Sequence, residues 1–186
     1  MISPALDRSF REAALEEGLL DVAYDIADSP VGPLLVAATG QGLARISYDP
    51  DPDALEDQLA RVFGARLLRV PRAVDPVRRQ LDEYFEGERH DFELPIDLRV
   101  ASDFSRLVLE ELAHVPYGEL TTYGALAAQA GRPRAARAVG TIMNRNPIPI
   151  VLPCHRVVGS TGSLVGYGGG LERKQQLLTL EGAMAR

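Results

Sequence analysis

Thr121-Thr122-Tyr123-Gly124-Ala125-Leu126-Ala127-Ala128-Gln129-Ala130-Gly131-Arg132-Pro133-Arg134-Ala135-Ala136-Arg137-Ala138-Val139-Gly140 reads as two short helices joined by a tight, glycine-containing turn. Thr121-Thr122 offers a cap for the first, which runs through Tyr123, Leu126, Ala127 and Ala130. Pro133 suits a first-turn position and opens a second helix, Arg134 to Asn144. The pair forms a helix-turn-helix pattern, although helical hairpins are common and the pattern alone names no function. The second helix is unusual in setting tiny side chains around Arg137. A reader of the major groove presents several long polar side chains to base edges. A helix of small residues instead lets its backbone approach a narrow groove closely. Close packing inside a core is the competing reading, and Val139 and Met143 pack in either case.

Downstream, Asn144-Arg145-Asn146-Pro147-Ile148-Pro149-Ile150 holds two prolines within three residues, which predicts an extended path outside any central strand. Asn146 can satisfy exposed backbone groups there. Pro153-Cys154-His155-Arg156-Val157-Val158 follows, and Cys154 is the only cysteine of 186 residues. A thiol becomes a strong nucleophile as the thiolate, which a nearby imidazole or cation favours. Most lone cysteines are simply small buried apolar residues. In a regular strand Cys154 and His155 point to opposite faces, so His155 serves Cys154 only through a backbone turn or a bridging water. Two glycine-rich loops, Gly159–Gly162 and Gly166–Gly170, then lead into a helix from Leu171 to Glu181 with Leu171, Leu177, Leu178 and Leu180 apolar. These loops match no dinucleotide or P-loop fingerprint.

Upstream, Ser102-Asp103 can cap a helix with Phe104, Leu107, Val108, Leu112 and Val115 on its apolar face, broken by Pro116-Tyr117-Gly118-Glu119. The first hundred residues read as an α+β scaffold. Strand-like runs Asp21–Ala27, Leu34–Thr39 and Leu43–Tyr48 have short turn-rich connections, which imply an antiparallel meander. Helices are expected from Asp53, as N-cap, to Phe63 and from Asp75 to Phe85; Leu55, Leu59, Val77, Leu81 and Tyr84 lie on their apolar faces. Asp91 to Val100 reads as extended, and Asp7 to Leu20 as an amphipathic helix or a loosely ordered arm. The chain thus divides into a scaffold domain, 1–100, and a mainly α domain, 101–186, that carries the helix-turn-helix.

Composition narrows the chemistry. One cysteine excludes an internal disulfide and a cysteine-cluster zinc site, and His90, His114 and His155 lack metal-ligand spacing, so neither a metal nor another cofactor is expected. No apolar run approaches a membrane span and Met1 to Glu17 lacks a signal-peptide pattern, so a cytoplasmic protein that keeps its thiol reduced is expected. The net charge of −6 is uneven: residues 1–100 carry 11 basic and 20 acidic residues, residues 101–186 carry 9 and 6. Between Gly131 and Arg156 stand Arg132, Arg134, Arg137, Arg145 and Arg156 with no acid at all, a local field suited to a polyanion.

The sequence Pro153-Cys154-His155-Arg156-Val157 resembles the active-site signature of the O6-alkylguanine-DNA alkyltransferases. The likeness continues through Tyr117-Gly118-Glu119, Thr122-Tyr123, Pro133 to Gly140, Asn146-Pro147, Gly166-Tyr167-Gly168-Gly169-Gly170-Leu171 and Glu181. It is dense from Phe104 to Gly182 and loose before that, mainly at Asp28 to Pro33. The resemblance implies a monomer that binds the minor groove of double-stranded DNA, flips an alkylated guanine into a pocket and moves the alkyl group irreversibly to Cys154. Cooperative assembly along DNA and activity on O4-alkylthymine are left open. It further implies that His155 is a water-linked base oriented by Glu181, and that Tyr123 helps rotate the nucleotide and assists the leaving guanine. Asn146 braces the active-site turn, and Arg156 is structural. Arg137 fills the vacated base position, with Arg134, Ala135, Ala136 and Gly140 on the DNA face. Tyr167, Gly168, Val157, Pro149 and Met143 line the pocket. Two departures stand out: the chain has no tryptophan, with Leu109 or a neighbour filling the space that relatives often give to one, and Gly168 replaces a serine of some members. A non-catalytic alkylguanine-binding protein of the alkyltransferase-like type is the alternative; such relatives replace the cysteine that is present here.

Overall fold

A computed structural model describes residues 3–184, with the side chains of Pro52, Asp53 and Leu55 outside the described set. The chain forms two compact units, Met1–Glu83 with Glu93–Val100 and Tyr84–Phe92 with Ala101–Arg186.

The first unit is built on a four-stranded sheet: β1 (Val22–Ala27), β2 (Leu34–Thr39), β3 (Gly42–Tyr48) and β4 (Leu67–Arg69), in the order β3-β2-β1-β4. The meander expected from the short connections is present, since β1–β2 and β2–β3 pair antiparallel. The sequence pattern missed β4, which pairs parallel to β1. Three residues are too short for a periodic signal, and the crossover through helix α2 (Pro52–Phe63) supplies the parallel return. That helix is capped by Asp51 rather than Asp53, through a bond from the Ala54 amide. The expected role of Leu55 falls on a side chain outside the described residues. Helix α1 (Pro4–Glu16) settles the reading of the N-terminal stretch: Ser3 caps it through the Leu6 amide. Helix α3 (Asp75–Phe85) has the expected bounds.

Asp91 to Val100 does not form a strand. Its backbone joins the sheet at a parallel bridge, Leu43 to Ile96, with Leu43 N–H donating to Pro95 O at 2.8 Å and Asp97 N–H to Leu43 O at 2.8 Å, and Thr39 Oγ1 of β2 donates to Asp97 Oδ2 at 2.7 Å. Pro95 lacks an amide proton and so cannot extend a ladder. The bridge depends on Gly42, whose φ of +136° is open to glycine and where a Cβ would stand 2.2 Å from Pro95 O.

The second unit contains α4 (Asp103–Ala113), β5 (Thr121–Thr122), α5 (Tyr123–Gln129), α6 (Ala136–Asn144), a 3-10 turn (Cys154–Arg156), β6 (Val157–Val158) and α7 (Leu171–Leu180). Ser102 and Thr122 cap α4 and α5 as expected. Its core includes Val108, Leu109, Leu112, Leu126, Val139, Ile148 and Leu177. Helix α6 begins two residues after Arg134. Pro133 and Arg134 instead form a turn closed by the Ala135 amide on Arg132 O, with Pro133 at the corner that its fixed φ favours. The linker after α6 is not extended either. Ile150 turns it back with φ +75°, so that Pro149 bridges Leu152.

Replacing Gly42 by alanine is expected to lower stability by about 2 kcal/mol or more, because the new Cβ meets backbone in a conformation alanine disfavours. Gly40→Ala, where the Cβ meets nothing within 4 Å and φ is not positive, should change it by less than ~1 kcal/mol. Thermal melts of the two variants check the difference.

Candidate active site

The parallel pair β5–β6 places Thr121 against Val157 and Thr122 against Val158, so the cap of α5 and the segment after Cys154 share one ladder. Cys154, His155 and Arg156 occupy a single 3-10 turn and are all buried. The chain therefore turns at these residues instead of continuing as a strand. The preceding loop is held by Asn146, whose Nδ2 donates to Leu152 O at 2.8 Å and whose Oδ1 accepts from the Ile148 amide at 3.0 Å. Fully buried Ile150 is β-branched with positive φ, a conformation retained only where surrounding bonds enforce it.

His155 is completely buried, with Nε2 2.8 Å from Glu181 Oε1. A carboxylate accepts only, so Nε2 carries the proton and Nδ1 keeps its lone pair. His155 Nδ1 is the sole buried side-chain nitrogen or oxygen without a hydrogen-bond partner among the described residues. Glu181, at the end of α7, also receives Arg156 in a fork, Nε to Oε2 at 2.9 Å and Nη2 to Oε1 at 2.9 Å. The Gly118 amide approaches Oε2 at 3.4 Å, and Arg156 Nη1 donates to Val115 O at 2.5 Å. Gly118 is itself required: φ is +77° and a Cβ would lie 2.9 Å from Glu181 O. Burial raises the Glu181 pKa, but donation from His155 and Arg156 prevails and holds it at about 2. His155 is pushed down, first by burial, and so stays neutral and basic at Nδ1.

Burial pushes the Cys154 pKa up to about 11, outweighing hydrogen bonds from Asn146 and Tyr167 and the charge of Lys174. The resting group is a neutral thiol. Lys174 was not foreseen: it is fully buried on α7, and its Nζ donates to Val157 O at 2.6 Å and Val165 O at 3.0 Å. Its spacing from Leu177 and Leu178 puts it on the buried face of α7, which is the signal that could have found it.

The remaining candidates divide by exposure. Val157, Met143 and Pro149 are buried, while Tyr167 is half-buried and bonded to the sulfur. Gly168 is exposed, and a Cβ there would stand 3.2 Å from Asn144 O, so a serine at this position needs the loop to give slightly. Tyr123 is half-buried, coupled electrostatically to Cys154, and its ring edge faces Gly140. Arg134 and Arg137 are exposed on the α5–α6 face, with Ala135 and Ala136 half-buried beside them. Arg132 instead lies over the Phe104 ring at 4.4 Å. A cavity of about 950 Å³ in the first unit, lined by residues including Arg8, Arg11, Tyr24, Glu56 and Arg69, contains none of the candidates.

A buried cysteine, an oriented imidazole and a helix pair with exposed Arg134 and Arg137 thus lie within one unit. Residues 103–183 match the DNA-binding domain of 6-O-methylguanine DNA methyltransferase, and residues 22–98 match the ribonuclease-like domain of the same proteins. The chain belongs to the 6-O-methylguanine DNA methyltransferase family. It is 44% identical over 160 residues to a methylated-DNA–protein-cysteine methyltransferase of Mycolicibacterium paratuberculosis, covering 86% of this chain and 92% of that one. The protein of that name from Methanosarcina barkeri is 40% identical over 158 residues, covering 85% and 96%. The crystal structure of Mycobacterium tuberculosis OGT in complex with DNA superposes with a TM-score of 0.76 at 40% identity, covering 87% and 93%.

Because the carboxyl of Glu181 titrates near 2 instead of 4.5, the unfolded chain takes up a proton first as pH falls. Stability is therefore full above about pH 4.5 and lost toward pH 2, by about 3 kcal/mol from this group. Urea midpoints across that window should fall less steeply for Glu181→Gln. Parallel curves would remove Glu181 as the source.

Proposed function

We propose that this protein repairs O6-alkylguanine in double-stranded DNA by a single irreversible transfer of the alkyl group to Cys154. The observation that carries the reading is the His155 ring: Nε2 locked on Glu181, and a bare, buried Nδ1 on the same turn as the only cysteine. His155 takes the thiol proton at Nδ1, through one water. The thiolate then attacks the alkyl carbon in line. The sulfur–carbon bond forms, the carbon–O6 bond breaks, and the electron pair remains on guanine. Tyr123 donates a proton to the departing base, and the thiol's proton, passed on from His155, restores the phenol. No charge is left on sulfur in the product, and nothing in this sequence regenerates the thiol.

A neutral resting thiol fits this scheme. Deprotonation is deferred until a substrate is in the pocket formed around Tyr167, Gly168, Val157, Pro149 and Met143. Arg137 on α6 fills the place of the flipped guanine, while Arg134, Ala135, Ala136 and Gly140 meet the groove. Asn146 and Arg156 hold the turn. Extrusion of the base costs a few kcal/mol, recovered by contacts within the pocket. Damage can lie in any sequence, so contacts to phosphates and groove shape suffice for binding.

Incubation with duplex DNA containing O6-methylguanine should add one methyl group at Cys154, read by peptide mass spectrometry, and Cys154→Ser should add none. Binding of the modified DNA without transfer would support the alkyltransferase-like alternative. Arg137→Ala should slow transfer from duplex DNA at least ~10-fold, since losing about 1.4 kcal/mol of the flipping energy suffices. The same variant should react with free O6-benzylguanine, which needs no flipping, within ~2-fold of wild type. Equal losses on both substrates would place Arg137 in the fold rather than in extrusion.

A further inference from the structure

Glu181 has one more donor. Tyr84 Oη lies 2.6 Å from Glu181 Oε1, the same oxygen that accepts His155 Nε2 at 2.8 Å and Arg156 Nη2 at 2.9 Å. Tyr84 is 0% exposed, so this bond is where its hydroxyl is satisfied. Its ring is fixed edge-on by Phe85 and Tyr117, with centroids 5.2 and 6.0 Å away, and tilted against Phe92 at 5.5 Å. The residue lies outside the segment matching the DNA-binding domain, 103–183, and inside the one matching the other domain, 22–98. By packing, however, Tyr84 to Phe92 belongs with the second unit.

We propose that Tyr84 is a positioning residue for alkyl transfer: its hydroxyl shares Glu181 Oε1 with His155 and so sets both the orientation of the carboxylate and how strongly it draws the imidazole proton. The inference rests on the reading of His155 as the base. Burial and the adjacent carboxylate keep the phenol protonated, which makes it a donor. The other charged or titratable groups facing this cluster are Arg156, Lys174 and Tyr117. Arg156 cannot be removed without leaving a buried carboxylate uncompensated. Tyr84→Phe deletes one oxygen and leaves the aromatic packing. Without that donor, Oε1 presents more of its charge to His155, which stabilises the imidazolium. Protonated His155 cannot accept the thiol proton, so the acid limb of the pH–rate profile should move up.

The test is single-turnover transfer from O6-methylguanine duplex across the neutral range for wild type, Tyr84→Phe, Glu181→Gln and the double variant. Tyr84→Phe should shift the acid limb upward by roughly 0.5–1 pH unit, as expected from one lost hydrogen bond to a charged group. The shift should vanish in the Glu181→Gln background. Coincident profiles for wild type and Tyr84→Phe, or an unchanged shift without the carboxylate, would overturn the proposal. Should Tyr84→Phe fold poorly, 3-fluorotyrosine at position 84 keeps the ring and donates more strongly, and it should move the limb downward; an unmoved limb counts against. If wild type transfers no methyl group, the functional reading fails separately. The His155 titration followed by NMR in the same proteins then still decides whether Tyr84 acts on it through Glu181.

Discussion

The second unit depends on a carboxylate kept ionised where water does not reach. A buried anion is costly, and Glu181 is retained because two oxygens collect donors from Tyr84, His155, Arg156 and Gly118. The guanidinium supplies the compensating charge in a two-point fork, whose rigidity fixes direction as well as energy. Through Val115 O the same arginine reaches the segment after α4. One ion pair therefore ties the end of α3, the loop before β5, the cysteine turn and the end of α7. The imidazole tautomer follows from this arrangement: an acceptor on one side leaves His155 only one way to be a base.

Around that anchor the backbone is shaped by unfavourable local choices that neighbours enforce. Ile150 sits in a left-handed conformation, and Asn146 clamps the chain on both sides of it. The short β5–β6 ladder then carries the register from the helix-turn-helix to the residues that follow Cys154. Lys174 binds two carbonyls, of Val157 and Val165, instead of an acid. Its charge remains available to the sulfur, which tempers the effect of burial without overcoming it.

Much of this was legible before any coordinates. Caps at Ser102 and Thr122, the apolar spacing of α3 and α4, and turn-rich strand connections determine those elements locally, and they are where expected, except that Leu107, expected on the apolar face of α4, is exposed while Leu109 is buried. The misjudged places are those where a proline has two local solutions. Pro133 makes a turn instead of opening a helix, and Pro147 and Pro149 lie in a tight reversal instead of an extended run. Strand β4 pairs across the chain and has no period of its own. At the site, the partnership of His155 with Glu181 came through resemblance, because 26 residues of separation carry no spacing rule. Tyr84 was counted only as part of an apolar face. An aromatic hydroxyl among Val77 and Leu81 was the cue that some polar group had to meet it.

The protonated state of Cys154 has a consequence for the lifetime of the protein. Thiolates, not thiols, are what peroxides and stray electrophiles attack. An acceptor that can be used once is lost equally by alkylation from DNA, by oxidation to a sulfenic acid or by reaction with a metabolite. Burial, which pushes the thiol's pKa up, disfavours the thiolate that those side reactions need. Slow chemistry in the empty pocket thus acts as selectivity: the protein reaches damaged DNA with its single reactive atom intact.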